Sequence, residues 1–159
     1  MTTRRSPRSY RFIGAVGTNR LVTRLHPVVY RLMRGRGPIS RMLGMQLVVL
    51  ETTGRVSGRR IDVPLFATTD GDRLVVVASN GGRPREPGWA GNLRAKADLT
   101  VVSGRRRTPM RAREVDGEER ERLWALAAAR YPGYDDYARW WAPARVAVFA
   151  LEPLEPVEA

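Results

Sequence analysis

The stretch QLVVLETTGRVSGRRIDVPLFATTDGDRLVVVAS, residues 46–79, reads as three β-strands in succession. Gln46 to Thr52 carries Leu47, Val48, Val49 and Leu50 without a break, the composition of a buried strand. Gly54 to Arg60 is a basic loop. Ile61 to Thr69 is the second strand, Asp70-Gly71-Asp72 a hairpin turn, and Leu74 to Ser79 the third strand. Connections this short join antiparallel neighbours, because a parallel crossover needs a dozen or more residues. The stretch therefore predicts a sheet built from hairpins.

The pattern continues outward from there. Asn80 to Gly88 is rich in Gly and Pro, and Trp89 to Ala97 reads as a short helix. Leu99 to Ser103 and Arg107 to Val115 are strands on either side of a turn near Gly104-Arg105. Glu118 to Arg130 is a helix with Leu123, Trp124, Leu126 and Ala127 on its apolar face. Its leading acids, Glu118, Glu119 and Glu121, suit the positive end of the helix dipole. Tyr131 to Tyr137 reads as a loop leading into a short helix, and Val146 to Leu151 as the last strand. Ahead of the first strand, Leu21, Val22, Leu25, Val28, Val29, Leu32 and Met33 recur at helical steps over residues 19–36. Asn19 is the expected N-cap there, and Pro27 is expected to break or kink the segment. Residues 1–18 are basic and expected to be flexible. The fold class is mainly β (α+β), a small antiparallel barrel or curled sheet with an N-terminal helix and two or three flanking helices. A chain of 159 residues fits a single domain, expected over 19–153.

Composition narrows the chemistry. The absence of cysteine excludes thiolate zinc sites, iron–sulfur clusters and thiol nucleophiles. A lone His26 rules out a histidine metal site or a Ser-His-Asp triad within one chain, so no metal is expected. The net charge is +12, and it is uneven: the first fifty residues hold ten Arg and no acid, whereas from Glu114 acids outnumber bases ten to five. That asymmetry implies an anionic partner, which charge alone leaves as nucleic acid, anionic membrane or a polyanionic small molecule. The aromatics gather in the acidic C-terminal third rather than between arginines, which argues against nucleic acid. No apolar run approaches the ~20 residues of a membrane span, and no signal peptide is read, so a cytoplasmic protein is expected. The basic stripe at 19–36 reads as a helix packed on the domain or as peripheral contact with an anionic membrane, and packing is the favoured reading.

Three stretches carry candidate chemistry. Thr53-Gly54-Arg55-Val56-Ser57-Gly58-Arg59-Arg60 combines tight-turning glycines, a hydroxyl and forked guanidinium donors, a set suited to phosphate or carboxylate, although a solvated basic hairpin has the same pattern. Ala78-Ser79-Asn80-Gly81-Gly82 ends a strand in small residues that admit a flat ring, and Trp89, Asn92, Leu93 and Arg94 follow on the helix, where Trp89 as plain core is the commoner outcome. Tyr131, Tyr134 and Tyr137 lie three apart and offer rings with proton donors for a pocket, or simply packing. No nucleotide-binding glycine motif is present.

Taken in order, these pieces resemble the deazaflavin-dependent nitroreductase family. The resemblance runs through Leu50-Glu-Thr-Thr-Gly-Arg-x-Ser-Gly58, Pro64-Leu65, Asp70-Gly-Asp-Arg73, Val76-Val-Ala-Ser-Asn-Gly-Gly82, Trp89-x-x-Asn92-Leu93-Arg94-Ala95 and Tyr131-Pro-x-Tyr-x-x-Tyr137, and covers about residues 19–153. It implies a split β-barrel related to flavin-mononucleotide-binding barrels. It implies coenzyme F-420, an 8-hydroxy-5-deazaflavin with a phospholactyl oligoglutamate tail, in preference to flavin mononucleotide. The implied reaction is hydride transfer from the reduced coenzyme to a quinone or other activated electrophile, with nitroaromatic compounds as adventitious substrates. A non-catalytic carrier of the coenzyme would share the cofactor residues. By position, the resemblance gives Arg55, Ser57, Gly58 and Arg59 to the phosphate and tail, with Val56 and Arg60 on the same loop. It gives Pro64, Leu65, Ala78, Ser79 and Asn80 to the ring, and Trp89, Asn92, Leu93 and Arg94 to its other side. Phe66, Tyr131, Tyr134 and Tyr137 face substrate, Ser79 counts among the candidate catalytic groups, and Tyr134 is the expected donor to a developing oxyanion. Val56 and Ile61 stand where relatives carry cations, and Phe66 where some carry tyrosine. The assembly is expected to be a monomer or a dimer.

Overall fold

A computed structural model describes residues 45–154. The basic segment 1–18 and the helix expected at 19–36 lie outside the described residues. Six strands, β1 (Gln46–Thr53), β2 (Arg60–Asp70), β3 (Arg73–Val77), β4 (Asp98–Ser103), β5 (Arg106–Glu114) and β6 (Val148–Pro153), alternate with three helices, α1 (Gly88–Ala95), α2 (Gly117–Arg130) and α3 (Gly133–Trp141), and a 3-10 turn covers Asn80–Gly82. All strand pairs are antiparallel, and the sheet closes into a barrel in the order β1-β2-β3-β6-β5-β4. The antiparallel barrel with flanking helices is thus the fold. No helix among the described residues is long and apolar enough to cross a membrane.

One element differs from its sequence expectation. The segment Tyr131–Tyr137, expected as a loop, is helical from Gly133 onward and belongs to α3. Pro132 and Gly133 look like breakers in sequence, but a proline is tolerated at a helix start, where its missing N–H would have had no partner.

Strand alternation divides the apolar residues between two cores. Val48 and Leu50 of β1, Ala67 of β2, Val76 of β3, Val101 of β4, Met110 of β5 and Phe149 and Leu151 of β6 fill the barrel interior, and Ala90 and Leu93 of α1 pack into the same cluster. The intervening residues, Val75 and Val77 of β3 and Val148 and Ala150 of β6, point outward and are covered by Leu123 and Ala127 of α2 and by Tyr134, Tyr137 and Trp141 of α3.

The barrel opens where β2 and β3 part. β2 pairs with β1 at eight positions, from Arg60 to Ala67. It pairs with β3 only at Thr68–Val75, Thr69–Leu74 and Asp70–Arg73. Beyond Thr68 the two strands part, so residues 60–67 of β2 have no strand on that side among the described residues. Pro64, which cannot donate to a ladder, sits in this stretch, where a strand tolerates it.

An ion-pair network fastens α2 over the seam's closed end. Asp70 accepts from Arg122 at 2.9 and 3.0 Å and from Arg73 at 2.5 Å. Glu119 accepts from Arg113 at 2.8 and 3.0 Å and from Arg73 at 3.1 Å. The Arg122 hydrogen bond, helped by Arg73, holds the Asp70 carboxyl at about 2, and Arg113, again with Arg73, holds Glu119 at about 2. Carboxylates of an unfolded chain titrate near about 4. The stabilisation from these two groups is therefore fully present above that value and is lost as pH falls through the folded values. Urea midpoints should fall between about pH 5 and pH 2. Asp70→Asn should cost about 1 kcal/mol at neutral pH and flatten that slope; an unchanged slope in the variant would remove Asp70 from the account.

Candidate functional site

The basic loop after β1 is held in a fixed turn. The Gly54 amide donates to the Arg59 carbonyl and the Gly58 amide to the Gly54 carbonyl, each at 2.8 Å, and the Arg59 amide donates to Ser57 Oγ at 3.3 Å. The loop is then fastened to α1. The Arg55 amide donates to Asn92 Oδ1 at 3.1 Å, while the Arg55 guanidinium donates to the Gly88 carbonyl at 3.0 Å and to Asn92 Oδ1 at 3.3 Å. Asn92 is buried, so its amide oxygen is a fixed point for the loop. Gly91 makes this approach possible: a Cβ there would lie 2.9 Å from an Arg55 guanidinium nitrogen.

Between loop and helix lies a cavity of about 350 Å3. Arg55, Val56 and Ser57 form its loop wall, Ile61 and Val63 its strand wall, and Gly88, Trp89 and Asn92 its helix wall. Arg55 and Arg59 make no ion pair among the described residues, and Arg55 lines the cavity. Arg60 differs, since it binds Asp62 at 2.7 and 2.9 Å and Glu51 at 2.7 Å. Arg94 also has partners of its own. It binds Glu86 twice at 2.7 Å and Glu114 at 2.5 and 3.0 Å, and its guanidinium lies 5.6 Å from the Phe149 ring centre. These carboxylates raise the Arg94 pKa, and Arg94 lowers that of Glu86. Arg94 thus ties the loop before α1 to β5, and Leu93 beside it is core.

The seam between β2 and β3 supplies the second part of the site. Val63 and Leu65 face the barrel interior, whereas Phe66 packs on the outer cluster with the tyrosines. Pro64 lies between these residues on the unpaired stretch. On the other lip, Ala78 and Ser79 are buried at the end of β3, and Asn80, at a positive φ of 49°, donates from Nδ2 to the Arg85 carbonyl at 2.9 Å. The turn then meets α3. A Cβ on Gly82 would lie 2.5 Å from the Tyr137 ring and 2.8 Å from Trp140, so only glycine lets the turn sit against that helix.

The three tyrosines are brought together and buried. Tyr131 and Tyr137 share a 2.8 Å hydroxyl–hydroxyl hydrogen bond. Tyr134 packs edge-on to Tyr131 at 5.1 Å and to Tyr137 at 6.2 Å, and its hydroxyl has no hydrogen-bond partner among the described residues. Burial, reinforced by Tyr137, pushes the Tyr134 phenol well above its ordinary value, and burial also raises Tyr137. Trp141 joins this cluster with its Nε1 buried and unpartnered.

The structure gathers many of the expected residues into two separate groups. Arg55, Val56, Ser57, Trp89 and Asn92 line one cavity, and Phe66 joins Tyr131, Tyr134 and Tyr137 in one cluster. Arg60, Leu93 and Arg94 instead engage ion pairs or core. Ile61, Val63 and Gly88 were missed as lining residues, although counting two and four residues along β2 from the end of the loop would have found the first two.

Comparison with known proteins finds relatives over most of the chain. The family model described as F420H(2)-dependent quinone reductase matches residues 22–153. An F420H(2)-dependent quinone reductase of Mycobacterium tuberculosis is 34% identical over 117 residues, covering 70% of this chain and 78% of its own. A solved F420-H2 dependent reductase is 37% identical with a TM-score of 0.62, covering 67% of this chain and 93% of that one. A FAD-binding protein from Mesorhizobium loti shares the fold at 17% identity and a TM-score of 0.50, with 69% of this chain and 79% of that one covered.

The Asn92 contact yields a direct test. Asn92→Ala strands the Arg55 amide and should destabilise the protein by about 1–3 kcal/mol. It should also speed amide exchange across residues 54–59, as followed by mass spectrometry. Unchanged exchange in that loop would show that Asn92 does not hold it.

Proposed function

The chain belongs to the F420H(2)-dependent quinone reductase family, and from that membership we propose that the cavity between the basic loop and α1, with the adjoining seam, holds coenzyme F-420 for reduction of a quinone. The protein is an oxidoreductase that uses coenzyme F-420. The residues present suit that coenzyme. Its ring system is flat and its tail anionic. The cavity offers apolar walls at Val63 and Trp89, with Arg55 on its loop wall and Arg59 further along the same loop. The observation that carries the reading is the junction of Arg55 with Asn92 and Gly88, where a basic loop meets a cavity of about 350 Å3. When bound in its reduced form, the coenzyme supplies the hydride.

The chain's own residues have three tasks in this proposal. The amides of the Gly54–Arg59 turn, with the Arg55 and Arg59 guanidinium groups, bind the phosphate of the tail. Trp89 and the β2 residues Val63, Pro64 and Leu65 orient the ring along the seam and exclude water, with Ala78, Ser79 and Asn80 on the opposite lip. Tyr134 donates a hydrogen bond or proton to the substrate oxygen. Its phenol is protonated at neutral pH, and its hydroxyl stands apart from the Tyr131–Tyr137 hydrogen bond. A quinone suits this cluster because it is flat, apolar and gains negative charge on oxygen when it accepts a hydride. Phe66 contributes an apolar wall to the same cluster.

Stopped-flow single turnovers with reduced coenzyme and menadione test the division of labour. Arg55→Ala should weaken coenzyme binding by about 1.5–3 kcal/mol and leave the saturated transfer rate nearly unchanged. Tyr134→Phe should do the reverse, lowering the rate by roughly a hundredfold at near-constant coenzyme affinity. A wild-type rate in Tyr134→Phe would reduce that residue to packing.

A further inference from the structure

Tyr134 is packed from two helices at once. Among the described residues its ring meets Tyr131 edge-on at 5.1 Å, Tyr137 edge-on at 6.2 Å, and Trp124 at 6.0 Å with a tilt of 53°. Tyr137 shares α3 with Tyr134, and Tyr131 stands just ahead of that helix, whereas Trp124 comes from the body of α2. Trp124 is itself braced. Its Nε1 donates to Asp135 Oδ1 at 2.9 Å, and Asp135 is the residue that follows Tyr134 on α3. Arg120, four residues earlier on α2, sets its guanidinium 5.2 Å from the Trp124 ring centre. Residues four apart share a helix face, and a cation over an indole is attracted to the negative face of the ring. Arg120 is anchored in turn, donating to the Val146 carbonyl at 2.9 Å and to Glu121 at 2.8 Å. Val146 is buried, two residues ahead of β6. A continuous set of contacts therefore runs from the backbone entering the barrel, through Arg120 and Trp124, to the Tyr134 ring and the residue beside it. Leu123 and Ala127 are buried in the outer core and seat α2 on the sheet, while Trp124 directs its contacts at α3.

On the reading that Tyr134 donates to the substrate oxygen, we propose that Trp124 is its positioning residue. The indole, held by Arg120 and Asp135, fixes the Tyr134 ring and with it the line along which the hydroxyl donates. Such donation is sensitive to placement, since an error of about 1 Å can cost on the order of a hundredfold in rate. The cavity lining does not include Trp124, so its effect falls on hydride transfer and not on coenzyme binding.

A double-mutant cycle in single turnovers with reduced coenzyme F-420 and menadione tests this. Trp124→Leu should lower the transfer rate by about tenfold at unchanged coenzyme Kd, and Trp124→Phe, which keeps a ring but cannot donate to Asp135, by about threefold. In the Tyr134→Phe background both substitutions should change the rate by less than about twofold. In the coenzyme-free protein with isotope-labelled tyrosine, the nuclear magnetic resonance signals of Tyr134, assigned by difference with Tyr134→Phe, should show faster ring flipping in both Trp124 variants. Should Trp124→Leu not fold, Trp124→Phe and Asp135→Ala carry the same comparison. Equal rate losses in the two backgrounds, or unchanged ring flipping, would overturn the positioning role. A wild-type rate in Tyr134→Phe alone would instead overturn the reading of Tyr134 as donor, and this inference with it.

Discussion

β2 and β3 are joined at only three residue pairs, and the site follows from where that pairing stops. A barrel of six strands with full ladders would be a sealed core, since the interior of so small a barrel is filled by side chains. Here β2 continues eight residues along β1 without a second partner, while β3 turns inward at Ala78, whose amide donates to the Ala147 carbonyl at 2.9 Å. The seam that opens between them presents strand backbone on one lip and small buried residues on the other. α1 packs beside β1 and β5, with Ala90 and Leu93 in the barrel core. Once α1 is fixed there, Asn92 and Gly88 are fixed too, and the basic loop has a surface to fasten to.

Most of the arginines described above are neutralised by carboxylates and act as fasteners: Arg73, Arg113 and Arg122 hold α2, Arg94 holds the loop before α1, and Arg60 with Arg107 holds the outer face of β1 and β2. Arginine suits this role because its planar fork engages two oxygens at once. Arg55 is fixed by a carbonyl and an amide oxygen, with the Glu86 carboxylate near enough to interact with its charge.

Much of this was legible in the sequence because the local signals agree. The hairpin turn at Asp70-Gly71-Asp72, the uninterrupted apolar runs of β3 and β6 and the glycine-bounded loop are each readable within a few residues. The α3 helix was read too short because Pro132 and Gly133 carry the same residue types as a loop, and only packing of Tyr134, Tyr137 and Trp141 on the outer sheet face decides for helix. Long-range pairings were beyond reach. Nothing local to Arg94 announces Glu86 and Glu114, and nothing local to Arg60 announces that Glu51, nine residues earlier, faces it across β1 and β2. Those partners are set by sheet register, which is a property of the closed barrel.

The central claim is that the basic loop, the end of β3 and α1 form one coenzyme site. Hydrogen–deuterium exchange with and without saturating oxidised coenzyme F-420 tests it most directly. The account predicts slower exchange in residues 54–59, 78–82 and 88–94 together, with the β4–β5 hairpin unchanged. Protection confined to one of these segments, or protection of the β4–β5 hairpin in their place, would contradict it.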